Sequence, residues 1–100
     1  MDAAPVFAAL GDEMRLRIVA RLCESGPLSI ARLTEGTRIS RQGITKHLDA
    51  LSTAGLVRSE RAGRERIWQI ETRRLAEARG YLYRICAQWD AAIERRRAFV

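Results

Sequence analysis

Residues 40–51 read SRQGITKHLDAL, and this stretch decides the fold. Ile44, Leu48 and Leu51 recur at the i, i+4, i+7 spacing of a helix that buries one face. Ser40 is placed to cap this helix, because its side-chain oxygen can accept from the free backbone N–H groups of the first turn. The side chains around the first turn are otherwise polar or basic, so the exposed end of the helix is predicted to bind a hydrogen-bonding partner.

Three further helices are predicted upstream. Residues 29–36, SIARLTEG, predict a short helix that Ser29 caps and Gly36 ends. A helix, a short turn containing glycine and a helix with a polar N-terminal face form a helix-turn-helix, here residues 29–54. Residues 3–10 predict a short apolar helix. A longer helix, capped by Asp12, is apolar nearly all round and is therefore expected to be heavily buried.

The hydrophobic period changes after Gly55. Residues 56–61 and 65–70 predict two strands around a turn at Ala62-Gly63, because β-branched and aromatic residues concentrate in the second run. The hairpin carries four arginines: Arg58, Arg61, Arg64 and Arg66. A basic hairpin directly after a helix-turn-helix is a wing, here residues 56–70. The predicted fold class is mainly α with a small β-hairpin, a single winged helix-turn-helix domain over residues 1–100 with about five helices and a two-stranded wing.

Residues 72–98 predict one long helix. Leu75, Leu82 and Trp89 recur every seven residues, and Ala78 and Ile85 begin a parallel row at the same interval. Such a heptad pattern is typical of a helix that packs along another helix. The sequence therefore predicts a seam between two helices at this end of the chain.

The charge distribution favours a polyanionic partner. The formal net charge is +6, the sequence pI is about 10.6, and the densest basic excess lies in residues 38–66. A clustered basic excess is the electrostatic footprint of nucleic-acid binding. We find no signal peptide and no apolar run long enough for a membrane span, so we expect a cytoplasmic, nucleoid-associated protein without a membrane partner. No nucleophile–base pair or phosphate-binding loop is present, so neither an enzyme nor a cofactor is predicted.

Two segments carry a resemblance to a known family. They read ALGDEMRLRIVARL and LSIARLTEGTRISRQGITKHLDALSTAGLVRSERAGRERIWQI. They resemble the ArsR family of bacterial winged-helix repressors. The resemblance implies a homodimer, formed by the first and last helices, that represses a promoter until a signal relieves it. The interface residues that this places on residues 3–10 and 72–98 are Val6, Phe7, Leu10, Leu75, Leu82, Ile85, Trp89 and Ile93.

Under this interpretation the helix after Ser40 enters the major groove of duplex DNA, where each base pair shows a distinct hydrogen-bonding pattern. Gln42 can pair with adenine, and Thr45 can offer a hydroxyl or a methyl group. Gly43 would let the backbone approach DNA closely. His47, the only histidine, is expected to pack or to bind a phosphate. The candidate DNA contacts are Ser40, Arg41, Gln42, Gly43, Thr45, Lys46, His47, Arg58, Arg61, Arg64 and Arg66.

The sequence gives less information about the signal that would relieve repression. The third helix, SIARLTEG, lacks the clustered cysteines of the family's metal sensors, and the last helix lacks histidine. The C-terminal pattern, GRERIWQI followed by LAEARGYLYRICAQWDAAIER, resembles a metal-independent branch of the family, so no metal site is predicted. A small-molecule or redox effector stays open.

Cys23 and Cys86 allow two interpretations. The favoured one treats them as small core hydrophobes, because Cys23 extends the apolar face of Leu16, Val19 and Ala20. The alternative is a thiol switch, since some ArsR members sense oxidants or sulfur species through cysteines on the second and last helices. In those members the first cysteine lies about one turn earlier, at the position of Ala20. A rival of another class is a protein-interaction module that uses the C-terminal helix and no longer binds DNA.

Overall fold

The computed structural model describes residues 2–98, which form five helices and three strands. Along the chain these are α1 (Ala4–Leu10), α2 (Glu13–Ser25), β1 (Leu28–Ser29), α3 (Ile30–Thr34), α4 (Arg41–Thr53), β2 (Val57–Ala62), β3 (Glu65–Ile70) and α5 (Thr72–Arg97). Within this part of the chain no helix has the length and apolar character needed to cross a membrane. The order confirms the predicted winged helix-turn-helix, with α3 and α4 as its two helices.

The predicted caps are in place. The Asp12 carboxylate accepts from the backbone N–H of Arg15, 3.0 Å away, at the start of α2. The Ser29 and Ser40 hydroxyl oxygens accept in the same way from Arg32 N at 3.2 Å and Gly43 N at 3.1 Å. Each cap satisfies a donor that the first helical turn would otherwise leave free, so local sequence alone fixes where these three helices begin.

The sheet is larger than predicted. The hairpin of β2 and β3 pairs Val57 with Ile70 and Ala62 with Glu65, so the turn is Gly63-Arg64, one residue later than expected. Gly63 has φ 64°, and Arg64 does not have a positive φ. This is the pattern of a type II′ turn, whose first central position favours glycine. The hairpin confirms the predicted two-stranded wing, and a short third strand, β1, which the sequence did not predict, pairs with β3 at Trp68 and Ile67.

The core lies between the helices and the inner face of the hairpin. Ile44, Leu48 and Leu51 of α4 have no exposed surface, as their spacing predicted. Trp68 is buried from the sheet side, and Ile18, Val19 and Leu22 are buried from α2. Helix α4 is therefore held along its whole apolar face, and only its polar side reaches solvent.

Two sequence-based predictions about apolar faces are wrong. Val6 is 1% exposed and belongs to the core of its own chain, so it cannot contact a second copy. Cys23 and Cys86 are free and exposed, so they are not core residues. In α2 the buried residues are Ile18, Val19 and Leu22, whereas Leu16, Ala20 and Cys23 are exposed.

Helix α5 projects from the domain. The molecule measures 65 × 25 × 21 Å, and its radius of gyration is 17.6 Å, against about 13 Å for a compact chain of 100 residues. Ala78 is buried and Leu75 packs partly against the core, so the first turns of α5 belong to the domain. Beyond Gly80, the helical face that carries Leu75 and Ala78 continues, but no other part of residues 2–98 packs against it.

Candidate nucleic-acid interface

The first turn and a half of α4 presents a continuous polar surface. Arg41, Gln42, Thr45 and Lys46 together line a shallow hollow of about 470 Å³. Arg41 and Thr45 are neighbours at the i, i+4 spacing, and so are Gln42 and Lys46, so the four residues form two adjacent rows on the exposed side of α4. Four of the predicted DNA contacts are therefore brought together on the side of α4 opposite its buried stripe.

Thr45 is held in a defined orientation. Its hydroxyl donates to the backbone carbonyl of Arg41 at 2.8 Å. The hydrogen atom is thereby used within the helix, while the oxygen lone pairs and the methyl group remain available. In this arrangement Thr45 can accept a hydrogen bond or make an apolar contact, but it does not donate.

Gly43 has an internal packing role. A Cβ atom built on Gly43 would lie only 2.6 Å from Cγ2 of Ile39, the residue that precedes the Ser40 cap. The missing side chain is therefore required for the turn before α4 to pack against its first helical turn. This contact within the chain is a second reason for the glycine, and close approach of the backbone to DNA stays a prediction.

His47 faces α2. Its Nδ1 lies 3.9 Å from Asp12 Oδ1, and its side chain is 23% exposed. The hydrogen bond from the Arg15 backbone N–H lowers the pKa of the Asp12 carboxyl, and the charges of Arg15 and His47 lower it further. Of the two sequence-based expectations for His47, this position supports packing, since the side chain links α4 to the start of α2.

The wing arginines divide between the two faces of the hairpin. Arg61 and Arg66 are directly opposite each other in the ladder, on the face that also carries Trp68. Arg66 Nη1 donates to Ser59 Oγ at 2.8 Å, whereas Arg58 on the other face lies 3.5 Å from Glu71 Oε2. Like charges directly opposite each other destabilise a sheet pair. The repulsion between Arg61 and Arg66 therefore destabilises the hairpin locally, and a bound anion would relieve it.

Four of the five dimer residues predicted on α5 form one exposed stripe, and the fifth, Leu75, packs partly against the core of its own chain. Leu82 is 50% exposed, Ile85 43%, Trp89 65% and Ile93 36%. Phe7 and Leu10 of α1 pack partly against their own core, and the Phe7 ring lies 5.9 Å from the ring of Tyr81. Sequence reasoning missed Leu16, which is 53% exposed on α2, because an all-round apolar helix does not reveal which face is covered.

Comparison with known proteins supplies the identification. A family described as a helix-turn-helix domain matches residues 10–60. The transcriptional regulator Rv2034 of Mycobacterium tuberculosis is 38% identical over 87 residues, covering 87% of this chain and 78% of the relative. A solved structure of an ArsR-like transcriptional regulator from Rhodococcus sp. RHA1 is 39% identical, with a TM-score of 0.80 over 92% of this chain and 86% of that one. The chain belongs to the ArsR family of transcriptional regulators.

A relative with a named role covers less of the chain. The arsenical resistance operon repressor of Bacillus subtilis is 35% identical over 57 residues, which is 57% of this chain and 54% of the repressor. Together the comparisons confirm that this ArsR-family protein is a DNA-binding transcriptional regulator and not an enzyme. Within residues 2–98, no group of three or more His, Cys, Asp or Glu side chains could hold a metal ion.

Proposed function

We propose that this ArsR-family regulator is a homodimeric repressor that binds a pseudo-palindromic operator in duplex DNA. The observation that carries the proposal is the hollow formed by Arg41, Gln42, Thr45 and Lys46. A helix whose N-terminal side chains reach base edges in the major groove is the docking geometry of helix-turn-helix proteins. The similarity to a named repressor supports the direction of regulation.

Within the hollow, Gln42 and Thr45 are proposed to read bases. Gln42 can pair bidentately with adenine, and such a pair is worth about 1–3 kcal/mol of discrimination against the wrong base. Thr45, as a fixed acceptor with a methyl group, suits a base-edge donor or the thymine methyl. Arg41 and Lys46 can reach guanine or phosphate.

The wing is proposed to bind the DNA backbone. Arg61 and Arg66 converge on one face, and Arg64 lies in the turn at the tip of the hairpin. Phosphate contacts position a protein without reading sequence, so these arginines should support all duplexes alike. Arg58 is already paired with Glu71 and is the weakest of the four candidates.

A second copy is proposed to cover the exposed stripe of α5. The segment from Leu82 to Arg97 is 16 residues long, and isolated helices of about this length are marginal in water. Its apolar row at Leu82, Ile85, Trp89 and Ile93 would pack against the same row of the partner helix. The dimer would place two recognition helices about one turn of DNA apart, which is why the operator should be a pseudo-palindrome.

The experiment for base reading is selection of binding sites from randomised duplex DNA. The wild type should select a half-site repeated in inverted orientation. Gln42→Ala and Thr45→Ala should relax the preference at individual positions, whereas Arg61→Ala should weaken binding to every sequence alike. Arg95→Ala, an exposed arginine near the end of α5, is the matched charge control and should leave the selected sequence intact. Unchanged preferences in both Gln42→Ala and Thr45→Ala would contradict the assignment.

The experiment for the dimer is sedimentation at fixed concentration. Trp89→Asp should convert the dimer to monomer, because a charge would be buried in the seam without a partner. Tyr83→Asp is the matched control, since Tyr83 is 75% exposed and lies outside the stripe. A monomeric wild type, or equal effects of the two substitutions, would overturn the proposed interface.

The thiol switch remains an alternative signal. Both cysteines are exposed, which oxidation by a solvent oxidant requires. DNA affinity measured with reduced and with oxidised protein tests it, and unchanged affinity would remove Cys23 and Cys86 from the mechanism. The interaction-module alternative also uses α5, and it predicts that duplex DNA does not bind in either state.

A further inference from the structure

A second concave site lies behind the recognition helix. It is a groove of about 520 Å³ between α2 and the turn that joins α3 to α4. Small-molecule sites usually have volumes of about 300–1,000 Å³. The apolar floor is formed by Met14 and Ile18 of α2, Leu33 of α3 and Ile39 of the turn. Ile18 and Leu33 are almost fully buried, so the floor is part of the rigid core.

The rim of the groove is predominantly cationic. Arg17, Arg21 and Arg38 line it, with Glu35 as the one carboxylate among its described lining residues. Arg17 is paired with Glu13 at 2.7 Å, and Glu35 lies 3.7 Å from Arg32. The arginines that remain for a ligand are therefore Arg21 and Arg38.

Arg21 makes long bonds to neutral groups. Its Nη1 donates to the backbone carbonyls of Leu33 at 3.3 Å and Glu35 at 3.2 Å, which lie at the C-terminal end of α3. A carboxylate offers a guanidinium shorter, charge-assisted bonds of roughly twice the strength. A ligand carboxylate would therefore draw Arg21 away from the end of α3.

We propose that this groove binds an organic acid with one carboxylate on a hydrocarbon body, and that its occupancy weakens DNA binding. The carboxylate lies between Arg21 and Arg38, and the hydrocarbon covers the floor. Ile39 transmits the change, because it lies on the floor and also packs against the first turn of α4 at Gly43. The ligand loosens the end of α3 through Arg21 and displaces Ile39, so the recognition helix loses its fixed position.

The test uses octanoate as the probe and octanamide as its uncharged match. Titration of the full chain by calorimetry should show saturable binding of octanoate and much weaker binding of octanamide. Arg21→Gln and Arg38→Gln should each lower the affinity for octanoate by about tenfold or more, as expected for loss of a charged hydrogen bond. Arg95→Gln should have no effect. Amide NMR shifts should move at Gly36, Thr37 and Ile39 and stay fixed at Trp89 and Ile93, which line another apolar groove.

Several outcomes would overturn the proposal. These are no saturable octanoate binding at millimolar concentration, equal binding of octanamide, or shifts confined to the end of α5. A different result is that octanoate fails to bind while Arg38→Gln lowers both the affinity for DNA and the salt dependence of DNA binding. In that case Arg38 is a phosphate contact and the groove is not a ligand site.

The coupling to DNA, but not the binding of the acid, rests on the proposed function. Saturating octanoate should lower the affinity for the selected operator in the wild type and not in Arg21→Gln. Octanoate that binds in the groove while DNA affinity is unchanged overturns the coupling alone. Protein that fails to bind duplex DNA even without octanoate overturns the proposed function, while the calorimetric result still decides the ligand site.

Discussion

Gly43→Ala separates a packing role for this glycine from a role in DNA approach. The added Cβ atom would lie 2.6 Å from Ile39 Cγ2 and 3.5 Å from Ser40 Oγ. Carbon atoms in ordinary contact are about 3.5–4.0 Å apart, so the first distance is about an ångström too short. Either Ile39 or the first turn of α4 must therefore move.

Two opposing terms set the magnitude. Alanine favours a helix interior over glycine by about 1 kcal/mol. Overpacking by a methyl-sized group costs about 1–3 kcal/mol. The net expectation is a loss of about 1 kcal/mol, which lowers the melting temperature of a domain of this size by about 4–8 °C. If the glycine served DNA approach alone, the helix term would act unopposed and Gly43→Ala would stabilise the protein.

The assay is urea denaturation followed by far-UV circular dichroism, at one protomer concentration because a dimer's stability depends on it. The companion variants are Ile39→Leu, which removes the offending Cγ2 methyl, and Ile39→Val, which keeps it. Combined with Gly43→Ala, Ile39→Leu should restore about 1 kcal/mol and Ile39→Val should not, as a double-mutant cycle would measure. A Gly43→Ala protein more stable than the wild type, or equal rescue by the two Ile39 variants, would refute the packing argument.

Three further outcomes follow from the caps and the thiols. Ser40→Ala should destabilise the domain by about 1 kcal/mol in urea denaturation, because the Gly43 N–H loses its acceptor, and Ser40→Asn should recover most of this loss. The pKa of the Asp12 carboxyl is lowered in the folded protein, so the stabilisation by its charge should be complete above the ordinary pKa of 3.8 and vanish as pH falls through the lowered pKa. The unfolding free energies of wild type and Asp12→Asn should therefore converge at that low pH. A difference in unfolding free energy that does not change with pH would contradict the linkage. In native protein, a thiol-reactive chromophore should modify Cys23 quickly and Cys86 slowly, since Cys86 borders the proposed seam; equal rates at concentrations where the protein is dimeric would count against that seam.

Local sequence signals predicted the parts of the fold that local chemistry determines. Asp12, Ser29 and Ser40 cap the helices that they were expected to cap. The stripe at Ile44 and Leu48 is buried, because a narrow apolar face leaves only one way to pack the helix. The four polar residues of the hollow could be named in advance because they occupy the opposite face.

Tertiary choices could not be predicted in the same way. Helix α2 is apolar on several sides, so the sequence did not reveal that Ile18 and Leu22 turn inward while Cys23 turns outward. Strand β1 is two residues long and shows no alternation, so only its pairing with β3 defines it. The contact that explains Gly43 depends on where the preceding turn places Ile39, which no local pattern encodes.

The central claim is tested most directly by the affinity for duplex DNA from upstream of the protein's own coding region, measured across a salt series against random duplex. We expect preferential binding whose log affinity falls linearly with log salt, by about 0.9 per phosphate contact, because each contact releases condensed counterion. Arg61→Ala should make that slope shallower by about one contact. No salt-dependent binding to any duplex would contradict the account and favour a protein partner for α5.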